Sequence, residues 1–262
     1  MAYQYINCTL ADGVATITLD RPDVLNSFNA VMALELQLCL GAIARDPLVR
    51  AVLLTGNGRA FCAGQDLAEA VPAEGPAPDL GDIVRDSYNP IVRVLREMEK
   101  PVICAVNGVA AGAGANLALA CDILIAAEEA SFIQSFSKIG LIPDTGGTFF
   151  LPRLVGLHRA TAMMFLGEKV GAAKAKELGM VHEVVPSSVL RDTALAMARS
   201  LAQQATRGLG LTKRALNHSL SATLDAQLDY EEQVQREAGS THDYQEGVRA
   251  FLEKRKPEYT GS

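Results

Sequence analysis

The chain has 262 residues, 49% of them hydrophobic and 21% charged. That is enough apolar material for one large core, or a core with a smaller helical appendage. A net charge of −6 counts against nucleic-acid binding, which rests on clustered Lys and Arg, although a local cluster can still hold an anion.

Five scattered cysteines, Cys8, Cys39, Cys62, Cys104 and Cys121, include no CxxC pair and read as reduced core thiols of a cytoplasmic protein. The N-terminus carries no basic-then-apolar targeting signal. Residues 3–10 and 14–19 alternate about Asp12-Gly13, which predicts a hairpin. Ser27-Phe28-Asn29 offers caps for a helix to Ala44, and Asp46-Pro47 stops it. Residues 51–55 form a wholly apolar strand of the kind buried on both faces. A glycine-bounded loop, 56–67, follows. Residues 69–80 are rich in Pro, Ala, Gly and acid and read as a mobile loop. A helical pattern resumes over 82–98, where Pro90 kinks or splits it.

Residues 100–148 are the organising stretch. A buried strand, 102–106, ends in Asn107-Gly108. A turn of small residues, 110–115, opens a helix from about Asn116, and a second apolar strand covers 123–127. The polar interruptions Asn107, Asn116 and Asp122 exclude a membrane span. Helices follow near 146–154, 157–166 and 172–178, with Gly179 as a stop. A short strand covers 181–185, and from Ser187 onward the pattern is helical. The recurring strand-strand-helix rhythm predicts stacked turns rather than a single βαβ sheet.

The turn 108–114 has too few glycines for a dinucleotide fingerprint, because Leu117 stands at the third glycine position. It reads as tight packing, as amides aimed at negative charge, or as both. Asp66, in Phe61-Cys62-Ala63-Gly64-Gln65-Asp66, reads as a turn or cap residue in a surface loop, or as part of a cleft wall. Asp144, in Pro-Asp-Thr-Gly-Gly-Thr, is a helix cap, a role Thr145 can also fill. Turned inward among Phe136, Ile139, Leu141, Ile142, Phe149 and Phe150, it is instead a carboxyl with a raised pKa, suited to moving protons. The four histidines lack ligand spacing, so no metal site is expected. Lys254-Arg255-Lys256 is a solvated helix end or, with Arg21, a phosphate site.

Taken together, ITLDRPDVLNSFN, LLTGNGRAFCAGQDL, KPVICAVNGVAAGAGANLALACDI, KIGLIPDTGGTFFLPRLVG and EGVRAFLEKRKPEYTG resemble the crotonase, or enoyl-CoA hydratase/isomerase, superfamily along essentially the whole chain. The resemblance implies an α/β fold, a crotonase-like spiral of stacked ββα turns with a helical C-terminal trimerisation region. The division expected is a core with the CoA and acyl site at 1–200 and a helical oligomerisation region at 201–262. The implied substrate is an acyl-CoA thioester and the implied partner a second copy of the chain, as a trimer or paired trimers. No nucleic acid, no membrane, and no cofactor beyond the substrate's coenzyme A are expected.

The resemblance places the thioester oxygen between the backbone N–H groups of Ala63 and Ala113. Coenzyme A would run along Ala63, Gly64, Gln65, Asp66 and Leu67, with Arg21, Gly112, Asn116 and Phe136 also binding substrate, and Phe251 and Lys254 contacting CoA, often from a neighbouring subunit. Asn116 and Phe136 stand where hydratases carry two glutamates, so the resemblance implies an isomerase and not a hydratase. Asp144 matches the acid/base aspartate of isomerases. The details resemble the branch that opens a ring-epoxidised arylacetyl-CoA to an oxepin, with a 3-enoyl to 2-enoyl double-bond shift as a further activity. Alternatives are a fatty-acid Δ3,Δ2-enoyl-CoA isomerase and a non-catalytic or RNA-binding member of the fold.

Overall fold

A computed structural model describes residues 3–70, 75 and 78–262. The chain opens with β1 (Ile6–Ala11) and β2 (Val14–Leu19), an antiparallel hairpin. Its turn is the one the sequence predicts, with Asp12 and Gly13 both at positive φ, the geometry that matches strand twist. β1 is an edge strand whose residues after Ile6 are exposed, so its alternation does not mark a half-buried face. Helix α1 (Ala30–Arg45) begins where Asn29 Oδ1 accepts the Met32 N–H at 2.9 Å, a side-chain cap.

Three ββα turns then stack. Each sends a long apolar strand into one sheet and a short strand into a second. The first comprises β3 (Ala51–Gly56), β4 (Ala60–Cys62) and the helical segments α2 (Leu67–Ala70), α3 (Leu80–Ile83) and α4 (Asn89–Glu97). The second is β5 (Val102–Val106), β6 (Val109–Ala111) and α5 (Ala113–Ala120). The third is β7 (Ile123–Ala127), β8 (Ser131–Ile133), a 3-10 turn (Ser135–Ile139) and α6 (Gly147–Val155). After α7 (Leu157–Leu166), β9 (Lys169–Gly171) and α8 (Ala172–Glu177), the strand β10 (Glu183–Val185) completes the first sheet. The large sheet has the order β1-β2-β3-β5-β7-β10, parallel beyond the first hairpin, and the small sheet β4-β6-β8-β9. The strands β4, β6, β8 and β9 have three residues each, too few for a period to register in the sequence.

Before Pro90 the 80–97 helix is interrupted by a π turn, Val84–Tyr88, so the proline falls in the first turn of α4. Proline has no N–H for the Asp86 carbonyl, and Gln37 Nε2 donates there instead at 2.7 Å. Asn89 N–H reaches back five residues to Val84 O. Of the expected loop 69–80, Glu69 and Ala70 belong to α2 and Leu80 opens α3; residues 71–74, 76 and 77 lie outside the described residues.

The C-terminal part is α9 (Ser187–Ala202), α10 (Thr206–Ser219), α11 (Leu224–Gly239) and α12 (His242–Glu253). Leu190, Ala194, Ala198 and Ala202 bury one face of α9, which packs on the β3, β5 and β7 strands. The division expected after residue 200 thus falls in the last turn of α9. α10 is tied to the core by Lys213, whose buried ammonium donates to Asp122 Oδ2 at 2.8 Å and Lys100 O at 3.2 Å. Arg96 holds the other oxygen of Asp122 at 2.9 Å, so both oxygens of this half-buried carboxylate are paired with cations.

Two glycines let the first and second ββα turns touch. A Cβ on Gly114 would lie 2.3 Å from Cys62 O and 2.7 Å from its sulfur, and one on Gly64 would lie 2.9 Å from Ala111 O. Gly64 also holds φ at +97°. Gly114→Ala therefore forces α5 away from β4. Urea unfolding is expected to show a loss of about 3 kcal/mol, the upper end of overpacking penalties.

Candidate active site

The site lies where β4 and β6 run out of the small sheet. After β4 the chain is pinned by Phe28. Phe28 N–H donates to Gly64 O at 2.7 Å and Phe28 O accepts from Asp66 N–H at 2.8 Å. In a trans peptide the C=O and the next N–H point in opposite directions. With Gly64 O turned to Phe28, the Gln65 N–H faces the other way and has no partner among the described residues. Opposite, α5 begins at Ala113, three residues before the start the sequence predicts. The Ala113 N–H is thus the first amide of the helix and likewise has no partner among the described residues. The position of a Cβ on Gly64 is 3.4 Å from Ala113 N, so the two turns are adjacent.

This corrects one expected donor. The Ala63 N–H donates to Leu25 O at 2.9 Å and is not free for a ligand. Leu25 and Asn26 both adopt left-handed backbone, and the buried Asn26 ties their loop to Asn57 O and Ala60 O at 2.9 Å each. That loop occupies the Ala63 amide. The facing pair is Gln65 with Ala113.

Asp144 sits on the loop before α6, half-buried. It does not cap the helix, and neither does Thr145. The cap position is Gly146, with no side-chain cap bond. The Asp144 carboxylate instead accepts the Thr145 hydroxyl at 2.7 Å. Burial raises its pKa, opposed in part by that hydrogen bond. The Asp144 charge is also among the groups that raise the Tyr88 phenol, after burial and Cys62. The Tyr88 hydroxyl donates to Gln65 Oε1. The phenol and the Gln65 turn are therefore in contact.

Asn116 is fully buried. Its Nδ2 donates to the Asp144 carbonyl at 2.9 Å, and its Oδ1 accepts Gln134 Nε2 at 2.7 Å. It is a clasp on the Asp144 loop. Phe136 is buried, with ring atoms 3.7 Å from where a Cβ on Gly112 would lie, so an apolar wall lies under that turn. Asp66 has the cap role as well as a partner. Its Oδ1 accepts Ala68 N–H at 3.1 Å and its Oδ2 accepts Arg21 Nη2 at 2.9 Å.

Arg21 also donates to Ser27 O at 2.6 Å and stacks on Tyr5. It is built into the wall of the turn. Leu67 is exposed at the rim. Phe251 and Lys254 lie at the end of α12. Phe251 is 81% exposed and borders a groove of C-terminal helices with Val248 and Tyr259, apart from the two turns. A groove of about 1100 Å³ between α10 and α11 contains none of the residues expected to do chemistry.

Tyr88, Gln134 and the Gln65 amide were not legible as site residues. The Pro90 that follows Tyr88 was the available signal for Tyr88. Two unpartnered amides at one point and a half-buried carboxylate can hold an oxyanion and move a proton.

The profile of the enoyl-CoA hydratase/isomerase family matches residues 9–262. The chain belongs to that family. It is 54% identical over 259 residues to the 1,2-epoxyphenylacetyl-CoA isomerase of Escherichia coli (strain K12), covering 98% of this chain and 99% of that one. It is 46% identical over 261 residues, all of both chains, to a protein of Rhodobacter capsulatus named "Probable enoyl-CoA hydratase". The crystal structure of an enoyl-CoA hydratase from Bacillus anthracis superposes with a TM-score of 0.92 at 36% identity, covering 99% of this chain and 100% of that one. The stacked ββα core with its helical C-terminal region is the crotonase fold, and the chain is an enzyme of that family. No described helix is long and apolar enough to cross a membrane.

The raised pKa of Asp144 has a sign for stability. The folded state binds the proton more tightly than the unfolded chain, so stability is lost as pH rises from the ordinary value of 3.8 through the folded pKa. Asp144→Asn is expected to raise the melting temperature at pH 7, with the gain vanishing below pH 3.8; calorimetry across that range checks it.

Proposed function

We propose that the enzyme is an isomerase of acyl-CoA thioesters that converts ring-1,2-epoxyphenylacetyl-CoA to its oxepin isomer. The observation that carries this reading is the half-buried carboxylate of Asp144. Asp144 sits on a loop that Asn116 of α5 clasps at its carbonyl, and by the family resemblance Asn116 and Phe136 stand where a hydratase carries two glutamates. Adding water takes one group to activate the water and another to protonate carbon. One acid/base group suits a reaction that returns the proton to the molecule it came from. The 54% identity to a protein named for this isomerisation supports the same substrate.

In this mechanism the Gln65 and Ala113 amides donate to the thioester oxygen. Each donor lowers the barrier by roughly 3 kcal/mol as negative charge gathers there. The Ala113 amide adds the positive end of α5. Asp144 removes a proton from the carbon beside the carbonyl. The bond shared by the epoxide and the six-membered ring breaks, the ring opens to seven members, and a double bond forms toward the former α-carbon. Asp144 then delivers its proton to a ring carbon, so atoms and electrons balance without a co-reactant. The same groups shift the double bond of a 3-enoyl-CoA to the 2-position. Phe136 and the small residues of α5 give an apolar seat for the acyl group. Exposed apolar residues on α11 and α12, among them Leu224, Leu228, Phe251 and Leu252, support assembly with further copies as a trimer or paired trimers in the cytoplasm, where Phe251 and Lys254 would reach a neighbour's coenzyme A.

Asp144→Asn is expected to lower isomerase kcat at least about 10³-fold, in the range of losing a general base, with acyl-CoA binding by calorimetry within severalfold of wild type. For wild type, kcat should fall as pH drops through the raised pKa of Asp144, because the base must be ionised. Near wild-type turnover of the variant would remove Asp144 from the chemistry. Efficient hydration of crotonyl-CoA by the wild-type enzyme would overturn the isomerase assignment.

A further inference from the structure

We infer that Tyr88 is a positioning residue for the reaction: its hydroxyl holds the Gln65 side chain and so fixes the peptide whose N–H faces the thioester oxygen. This rests on the reading of Gln65 N–H as an oxyanion donor.

Tyr88 is 3% exposed. Its ring packs edge-on against Phe28, with centroids 5.9 Å apart at 69°. Phe28 is the residue whose backbone clamps Gly64 O and Asp66 N–H. The Gln65 peptide is therefore gripped twice by one unit. The Phe28 main chain holds the flanking groups, and Tyr88, seated on the Phe28 ring, holds the side chain. Gln65 comes after a glycine at φ +97°, the most freely rotating kind of neighbour. A second grip keeps the N–H from swinging out of line, and donors of this kind act by being oriented beforehand.

The phenol is suited to the task. Burial, then the charges of Cys62, Asp144, Glu69 and Asp66, raise its pKa, so it remains a hydrogen-bond donor throughout the working range. Its placement is built in locally. Tyr88 ends the π turn that Pro90 and Gln37 stabilise. The extra residue of a π turn rotates the succeeding helix by about 100° relative to a continuous α-helix. Such turns recur at functional sites.

Tyr88→Phe removes the hydroxyl and keeps the ring on Phe28. Gln65→Met removes the acceptor and keeps the length and the backbone amide. Two readouts apply: kcat and KM on 3-enoyl-CoA and on the epoxide, and the absorbance of bound cinnamoyl-CoA, whose band moves to longer wavelength as its thioester carbonyl is polarised. Each variant is expected to lower kcat about tenfold, the scale of one hydrogen bond, with KM within about twofold and a smaller red shift. The double variant should be no worse than either single one. A full red shift and unchanged kcat in Tyr88→Phe would overturn the role of Tyr88 while leaving the oxyanion reading intact. No red shift in the wild-type enzyme would overturn the oxyanion reading itself. Should Tyr88→Phe fail to fold, Gln65→Met carries both readouts with the phenol ring in place, and a wild-type red shift and kcat there would overturn the inference.

Discussion

The site depends on two peptide turns lying closer together than side chains would permit. Gly64 meets the turn before α5, and Gly114 meets Cys62, at distances where a Cβ would collide. Each turn is the end of a short parallel strand, β4 or β6, and the pairing of those strands sets their separation. Two amides that lack partners among the described residues, on Gln65 and Ala113, are the by-product of this approach. Exposing bare backbone donors inside a fold costs stability, and an oxyanion between them would recover that cost.

Around those amides the chemistry is decided by what the neighbouring positions carry. Asn116 is an amide where a hydratase would have a carboxylate. It spends both ends of its side chain on the protein, at the Asp144 carbonyl and at Gln134. It therefore organises the loop that carries Asp144, the acid/base of the proposed reaction. Burial keeps its pKa above that of an ordinary aspartate, which favours taking a proton and then releasing it. Phe136 supplies an apolar surface where a second acid would have been. In the isomerase reading, Asn116 and Phe136 are the two side chains that set this cleft apart from a hydratase's.

Much of this was legible in the sequence. The long strands β3, β5 and β7 are almost wholly apolar and were readable as buried, and the Asp12-Gly13 hairpin and the Asn29-capped helix follow from local rules. The stacked-turn rhythm was visible, but the second sheet that creates it was not, because its three-residue strands carry no period. Ala113 and Asp144 stand out in the sequence, and the fold sets the first at the mouth of α5 and the second on the loop before α6. Ala63 also stands out, yet its amide is taken, for a physical reason: which amide of a glycine turn is free depends on what lies alongside, and Leu25 reaches it from a loop some forty residues away in sequence. Arg21 reads as a free cation in the sequence, yet its partners Asp66 and Tyr5 are brought to it only by the fold. Tyr88 was hidden because a π turn has no sequence period of its own.

The central claim is that the Gln65 and Ala113 amides share the thioester oxygen while Asp144 faces the α-carbon. A crystal structure of the Asp144→Asn protein with bound epoxyphenylacetyl-CoA tests it most directly. The account predicts the carbonyl oxygen about 3 Å from both amide nitrogens, with Ala63 N–H still bonded to Leu25 O and the side chain at position 144 against the α-carbon. A thioester oxygen in solvent, or held by neither amide, would contradict it.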